Sequence, residues 1–188
     1  MRDRDKVKKK RTQIIFGLLI IFLMTFSVFG YFGDESNETV ECNVHKFTQV
    51  DSNWVGYNED VLITLMNDPR ELMKNITLVG IEGFKYSSYE KAYFSVAPGL
   101  NYRPALYSYT NNLKMYIPAA TNMACYNDGS GCDNLPLKDC KDATNKILIV
   151  KFMQANESKV SFDENCLIIE GEDLNIPTER FVLETVFE

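Results

Sequence analysis

The side chains able to do distinctive chemistry in this 188-residue chain are few: five cysteines, one histidine and three Asn-x-Ser/Thr triplets. Cys42 and His45 make a Cys-x-x-His pair, which needs two further ligands to hold a metal, or the imidazole as base to make Cys42 a nucleophile. A single histidine excludes a centre built on several imidazoles, and His45 reads as an isolated strand residue. There is no Gly-x-Ser-x-Gly elbow, phosphate-binding glycine loop or His-Glu-x-x-His helix, so no catalytic residue, metal ligand or cofactor is expected. The run from Asn127 to Asp133 sets oxygen ligands beside glycines. It lacks the alternating acids and closing Glu of a calcium loop, and reads as a turn.

The cysteines point to structure. Cys125 and Cys132 flank Tyr-Asn-Asp-Gly-Ser-Gly, turn formers that fold the chain back and bring two Cα atoms within the roughly 4.4 to 6.8 Å of a disulfide. Cys140 precedes the apolar run Ile147–Phe152 and Cys166 opens Leu167–Ile169, so neighbouring strands can pair these two. Cys42 is then left as a buried thiol or a bridge to a second copy. Disulfides of this kind belong in an oxidising compartment.

The triplets are Asn37-Glu-Thr, Asn75-Ile-Thr and Asn156-Glu-Ser. Asn37 sits in an acidic stretch and Asn156 at the tip between two strand-like runs, so both are expected to accept N-glycans in a host with that machinery. Asn75 ranks behind them because Ile76 opens an apolar run. Seven of the ten tyrosines fall between Tyr86 and Tyr116. Tyr86, Tyr89 and Tyr93, with Val96 and Ala97, recur at helical steps and are expected to pack in the core, leaving Tyr102, Tyr107 and Tyr109 as interface candidates.

Charge divides the chain before any fold is considered. The net −6 conceals a tail, residues 1–13, with seven basic against two acidic residues, +5. Residues 14–32 then carry no charge at all. A helix of that length spans roughly 28 Å, close to a bilayer core, and a basic flank just before it is retained in the cytoplasm. We expect a signal anchor in membrane lipid, N-terminus inside and the remainder outside. Cleavage after a small-residue site near Val28 and Gly30 is the alternative; the apolar run exceeds an ordinary signal-peptide core and continues through Tyr31 and Phe32. The remaining residues hold 24 acidic against 13 basic side chains, −11, which disfavours nucleic acid. Residues 33–41 are too polar to bury much surface and read as an acidic stalk, followed by an extracytoplasmic domain over residues 42–188.

The elements that must position these groups are mixed. Strands are expected at Val44–Val50, Val61–Met66, Ile76–Ile81, Leu113–Ile117, Ile147–Phe152, Lys159–Phe162 and Leu167–Ile169. Helices are expected after Asp68-Pro69, along Tyr86–Ala97, over Arg103–Asn112, and from about Pro177 with Phe181, Val182, Val186 and Phe187 inward. A polar, cysteine-bearing loop occupies Ala119–Thr144. The order predicts an α/β domain, one mixed sheet flanked by helices and preceded by the transmembrane helix. Its final strand-strand-helix segment follows the order of the second half of a thioredoxin fold, without any Cys-x-x-Cys.

The segment Cys140 with Asp142-Ala143-Thr144, the strand Ile147–Phe152, then Asp163 through Glu170 and Arg180 resembles the C-terminal third of short, uncharacterised archaeal proteins with one N-terminal span. Lys46-Phe47-Thr48 with Trp54 is a fainter match. The resemblance implies a structural Cys140–Cys166 pair and carries no activity. The expected role is a non-enzymatic binding or accessory module of the cell envelope, with a protein or glycan partner. A membrane-tethered hydrolase using two of the plentiful carboxylates is the alternative.

Overall fold

The computed structural model describes residues 17–24, 38–42, 45–58, 61–99, 111, 113–114 and 120–185. The chain divides into two units, residues 1–37 and 38–188. In the first, residues 17–24 are helical. Leu18 through Met24 are apolar all round the helix, and each is at least half exposed, from 51% at Ile20 to 67% at Met24. Among the described residues no helix is long and apolar enough to cross a membrane; the rest of the expected span lies outside them.

The second unit opens with four short strands, β1 (Thr39–Cys42), β2 (His45–Val50), β3 (Asn53–Asn58) and β4 (Val61–Leu65), paired antiparallel in sequence order. Their connections are too short for crossovers, so each strand pairs with the one before it. At the β2–β3 corner Val50 faces Asn53 across two residues, with Asp51 at φ 54°. Alternation is clean: Val40, Phe47, Trp54, Ile63 and Leu65 face inward, while Lys46, Tyr57 and Leu62 face out. Gly56 is small because the Phe47 ring fills the space its Cβ would need.

Helix α1 (Pro69–Asn75) follows, with Asp68 accepting from the Arg70 N–H as its N-cap and Pro at the first turn, as the Asp-Pro pair requires. The chain then builds a six-stranded sheet from β5 (Thr77–Val79), β6 (Lys91–Val96), β7 (Ala120–Cys125), β8 (Ile147–Gln154), β9 (Lys159–Asp163) and β10 (Cys166–Gly171), in the order β5-β9-β10-β8-β6-β7. Every pairing is parallel except β9 with β10. Those two meet at a tight turn whose central residues, Glu164 and Asn165, both have positive φ, 45° and 68°. Helix α2 (Asn175–Thr185) closes the core with Phe181, Val182 and Leu183.

The architecture is therefore mixed α/β with two sheets, and the expectation of one sheet is corrected. The reason is local: residues 39–65 pair wholly among themselves. Pairing from Thr39 also draws the end of the stretch expected as stalk into the folded unit, with Val40 buried.

Three other expectations change. The Tyr86–Ala97 stripe is one 3-10 turn, Tyr86–Ser88, followed by β6, so its steps of three and four straddle a turn and a strand. A strand, β7, occupies the start of the expected loop. Leu113 and Lys114 are helical where a strand was expected, an ambiguity inherent in so short an apolar run. The rest of Arg103–Asn112, apart from helical Asn111, lies outside the described residues, as do Val186 and Phe187.

Candidate functional site

The centre of the large sheet is buried on both faces. Leu148, Ile149 and Val150 in β8 are all inaccessible, and their side chains alternate between the two faces. On the face that carries Ile149, Ser95 Oγ donates to the Lys138 carbonyl, Asp139 pairs with Lys151 and Cys140 is bonded to Cys166, within a stretch whose regular structure is the 3-10 turn Cys140–Asp142. Cross-links hold this polar stretch to the sheet. Cys125 joins Cys132 across the turn, with Cα atoms 6.0 Å apart, and Cys140 joins Cys166 in β10 at 5.2 Å. Cys125 further exchanges backbone hydrogen bonds with Pro136 and Lys138.

An ionic clasp completes the cover. The Asp139 carboxylate accepts from Lys151 Nζ at 2.7 Å and from the Cys140 N–H at 2.8 Å. The lysine bond holds that carboxyl below its ordinary value. Lys151 also lies 4.4 Å from the Tyr126 ring centre, and Tyr93 is flanked by Lys91 at 4.7 Å and Lys138 at 5.7 Å. Cation–π contacts of this kind fix half-buried rings and lysine stems in place.

Cys42 and His45, adjacent in the Cys-x-x-His spacing, are set directly opposite each other by the β1–β2 register. Cys42 is an unpaired buried thiol, pushed up first by burial and then by the Asp68 charge, which is the wrong direction for a nucleophile. Among the described residues no three His, Cys, Asp or Glu side chains converge as a metal site would require.

Among the described residues, two depressions are shaped to receive a ligand. The outer face of the small sheet carries a depression of about 500 Å³ lined by His45, Lys46, Thr48, Val50, Val55 and Tyr57. It sits in an exposed apolar field, for Tyr57 lies opposite Leu62, and both, with Val50 and Met66, are at least 45% exposed. The second feature is a cleft of about 500 Å³ where the end of α1, the start of β5 and the β8–β9 turn meet, with Leu72, Ile76 and Ile176 among its lining and Glu71 and Glu157 on its rim.

The glycosylation candidates separate in space. Asn156 is exposed at the β8–β9 turn and Asn75 is exposed at the end of α1. Asn37 lies outside the described residues, as do the interface candidates Tyr102, Tyr107 and Tyr109. Sequence spacing gives no hint of the exposed sheet face, because Gly56 breaks the alternation of β3 and Tyr57 meets Leu62 only once β3 and β4 pair.

A buried carboxylate escaped sequence reasoning altogether. Glu179 in α2 is 2% exposed, and its oxygens accept from the Met66 N–H at 2.9 Å, the Asn67 N–H at 3.1 Å and Asn67 Nδ2 at 2.9 Å. Burial raises its pKa despite these three donors. It ties α2 to the β4–α1 corner. No protein-family model, curated protein or solved structure matches the chain.

Proposed function

We propose that the chain is a membrane-anchored extracytoplasmic module that binds a protein of the cell envelope through the outer face of its small sheet and does no chemistry of its own. The observation that carries the placement is the pair of intramolecular disulfides, which persist in an oxidising compartment. The uncharged run of residues 14–32 behind a +5 tail supports the anchor. So does the apolar helix at residues 17–24, since side chains apolar all round suit lipid better than water. Tyr57, Leu62, Val50 and Met66 supply the apolar centre of a docking face, and Lys46 and Thr48 its polar edge.

A photocrosslinking residue introduced at Tyr57 in the full-length protein in its own membrane tests this. We expect one dominant protein adduct, absent when the same residue is placed at exposed Asp128. Equal labelling from both positions, or none from Tyr57, overturns the docking face.

The cleft beside α1 favours a second reading, a carboxylate-dependent hydrolase, because Glu71 and Glu157 both line it. Hydrolysis of envelope glycans that disappears in both Glu71→Gln and Glu157→Gln would establish that reading in place of the first.

A further inference from the structure

We propose that Asn75 carries an N-linked glycan and that the first sugars of that glycan lie in the cleft between α1, β5 and the β8–β9 turn. The inference rests on the extracytoplasmic placement above. Asn75 is the last residue of α1, and Ile76 after it is already extended at φ −109° and ψ 120°, so the triplet Asn75-Ile76-Thr77 leaves the helix as it ends. Both Asn75 and Thr77 are exposed, and the apolar Ile76 between them is buried at 8% exposure. The apolar run that counted against this triplet therefore does not bury its acceptor.

The amide is already oriented. Asn75 Nδ2 donates one hydrogen to Glu71 Oε2 at 2.7 Å, one helical turn back, which leaves its second hydrogen as the position for substitution. In the transfer, Nδ2 attacks the anomeric carbon of a lipid-phosphate-linked oligosaccharide supplied by the host. The N–C bond forms, the C–O bond to phosphate breaks, the lipid phosphate leaves with the electron pair, and one amide proton passes to the transferase base. The product keeps one N–H, so the bond to Glu71 survives and holds the linkage over the cleft.

The cleft has the chemistry of a sugar cradle. Asn75 and Thr77 form part of one wall, and Glu157 and Ser158, from the Asn156 triplet, form part of the other. Amide, hydroxyl and carboxylate groups satisfy sugar hydroxyls, while Leu72 and Ile76 meet the apolar C–H face. A tethered sugar needs little intrinsic affinity, because its effective concentration is millimolar or higher. Asn156 is exposed and does not line the cleft. A cleft filled by the chain's own sugar is closed to a substrate, which sets this inference against the hydrolase.

The test uses full-length protein purified from its own membrane, as wild type and as Asn75→Gln, Thr77→Ala and Asn156→Gln. Thr77→Ala removes the acceptor triplet but keeps the Asn75–Glu71 bond, which separates loss of sugar from loss of that contact. Peptide mass mapping should find sugar on Asn75. Hydrogen exchange across residues 67–77 and 157–158 should be about tenfold slower in wild type than in Thr77→Ala or Asn75→Gln, and unchanged by Asn156→Gln. Sugar on Asn156 with Asn75 bare overturns the proposal and leaves the placement standing. Sugar on Asn75 without added protection overturns the cradle. No sugar at either position overturns it as well, and surface labelling of intact cells then shows whether the placement has failed too.

Discussion

Asn67 and Glu179, 112 residues apart, are joined twice: the Glu179 carboxylate accepts from the Asn67 backbone N–H at 3.1 Å and from its side-chain amide at 2.9 Å. With the Met66 N–H this gives one buried carboxylate three donors from the corner between the small sheet and α1. Removing the acceptor strands buried N–H groups, so Glu179→Leu should cost about 2 to 4 kcal/mol in urea unfolding. The pH dependence has a definite sign. Because the folded carboxyl titrates above its unfolded value, its contribution is fully present below the unfolded carboxylate range near 4.3 and declines as pH rises through the raised folded value. Glu179→Gln should abolish that decline; an unchanged pH profile would contradict the assignment.

Asp139 should show the opposite sign. Its hydrogen bond from Lys151 lowers its folded pKa, so it stabilises above the unfolded value and that contribution is lost as pH falls through the folded one. Asp139→Asn should remove part of the acid-limb slope and leave the Glu179 limb intact, read from unfolding midpoints between about pH 2 and 7.

The two disulfides should differ in weight. Cys140–Cys166 closes 26 residues and Cys125–Cys132 closes 7. Loop-closure entropy then gives roughly 3 to 4 kcal/mol for the first and roughly 2 to 3 for the second, measured as paired Cys→Ala variants under non-reducing conditions. The first pair also anchors the cover over Ile149, so its loss should raise exchange across residues 139–151 selectively. Equal costs and uniform exchange would contradict the cover.

How much of this was legible in the sequence depends on range. The Asp68-Pro69 helix start and the strands around Ile147, Lys159 and Leu167 rest on neighbouring residues, and each was readable. The turn formers between Cys125 and Cys132, now bridged by a disulfide, were equally local. The division into two sheets was not readable, because it depends on which strands pair, and β3 carries Gly56 where a core side chain would normally mark the pattern. The Tyr86–Tyr93 spacing fitted a helix only because a 3-10 turn and a strand happen to follow one another. Glu179 looked like any acid on a terminal helix, since its partners are more than a hundred residues away.

Two glycines with similar backbones should respond differently to alanine. Gly80 and Gly83 have φ of 70° and 78°, but a Cβ on Gly80 would run into the Phe162 backbone oxygen, whereas nothing lies within 4 Å at Gly83. Gly83→Ala should therefore cost about 1 kcal/mol from backbone strain alone, and Gly80→Ala about 2 to 4 kcal/mol, in paired thermal and urea melts. Equal costs would mean that β9 yields at Phe162.

The proposed topology puts residues 33–188 outside a membrane spanned by residues 14–32. Intact cells treated with a membrane-impermeant amine-reactive reagent, followed by peptide mass mapping, test it most directly. Lys46, Lys74, Lys141 and Lys159 are exposed and should be modified in intact cells, while Lys8, Lys9 and Lys10 should react only after permeabilisation. Labelling of the four domain lysines only after permeabilisation would place the domain inside the cell.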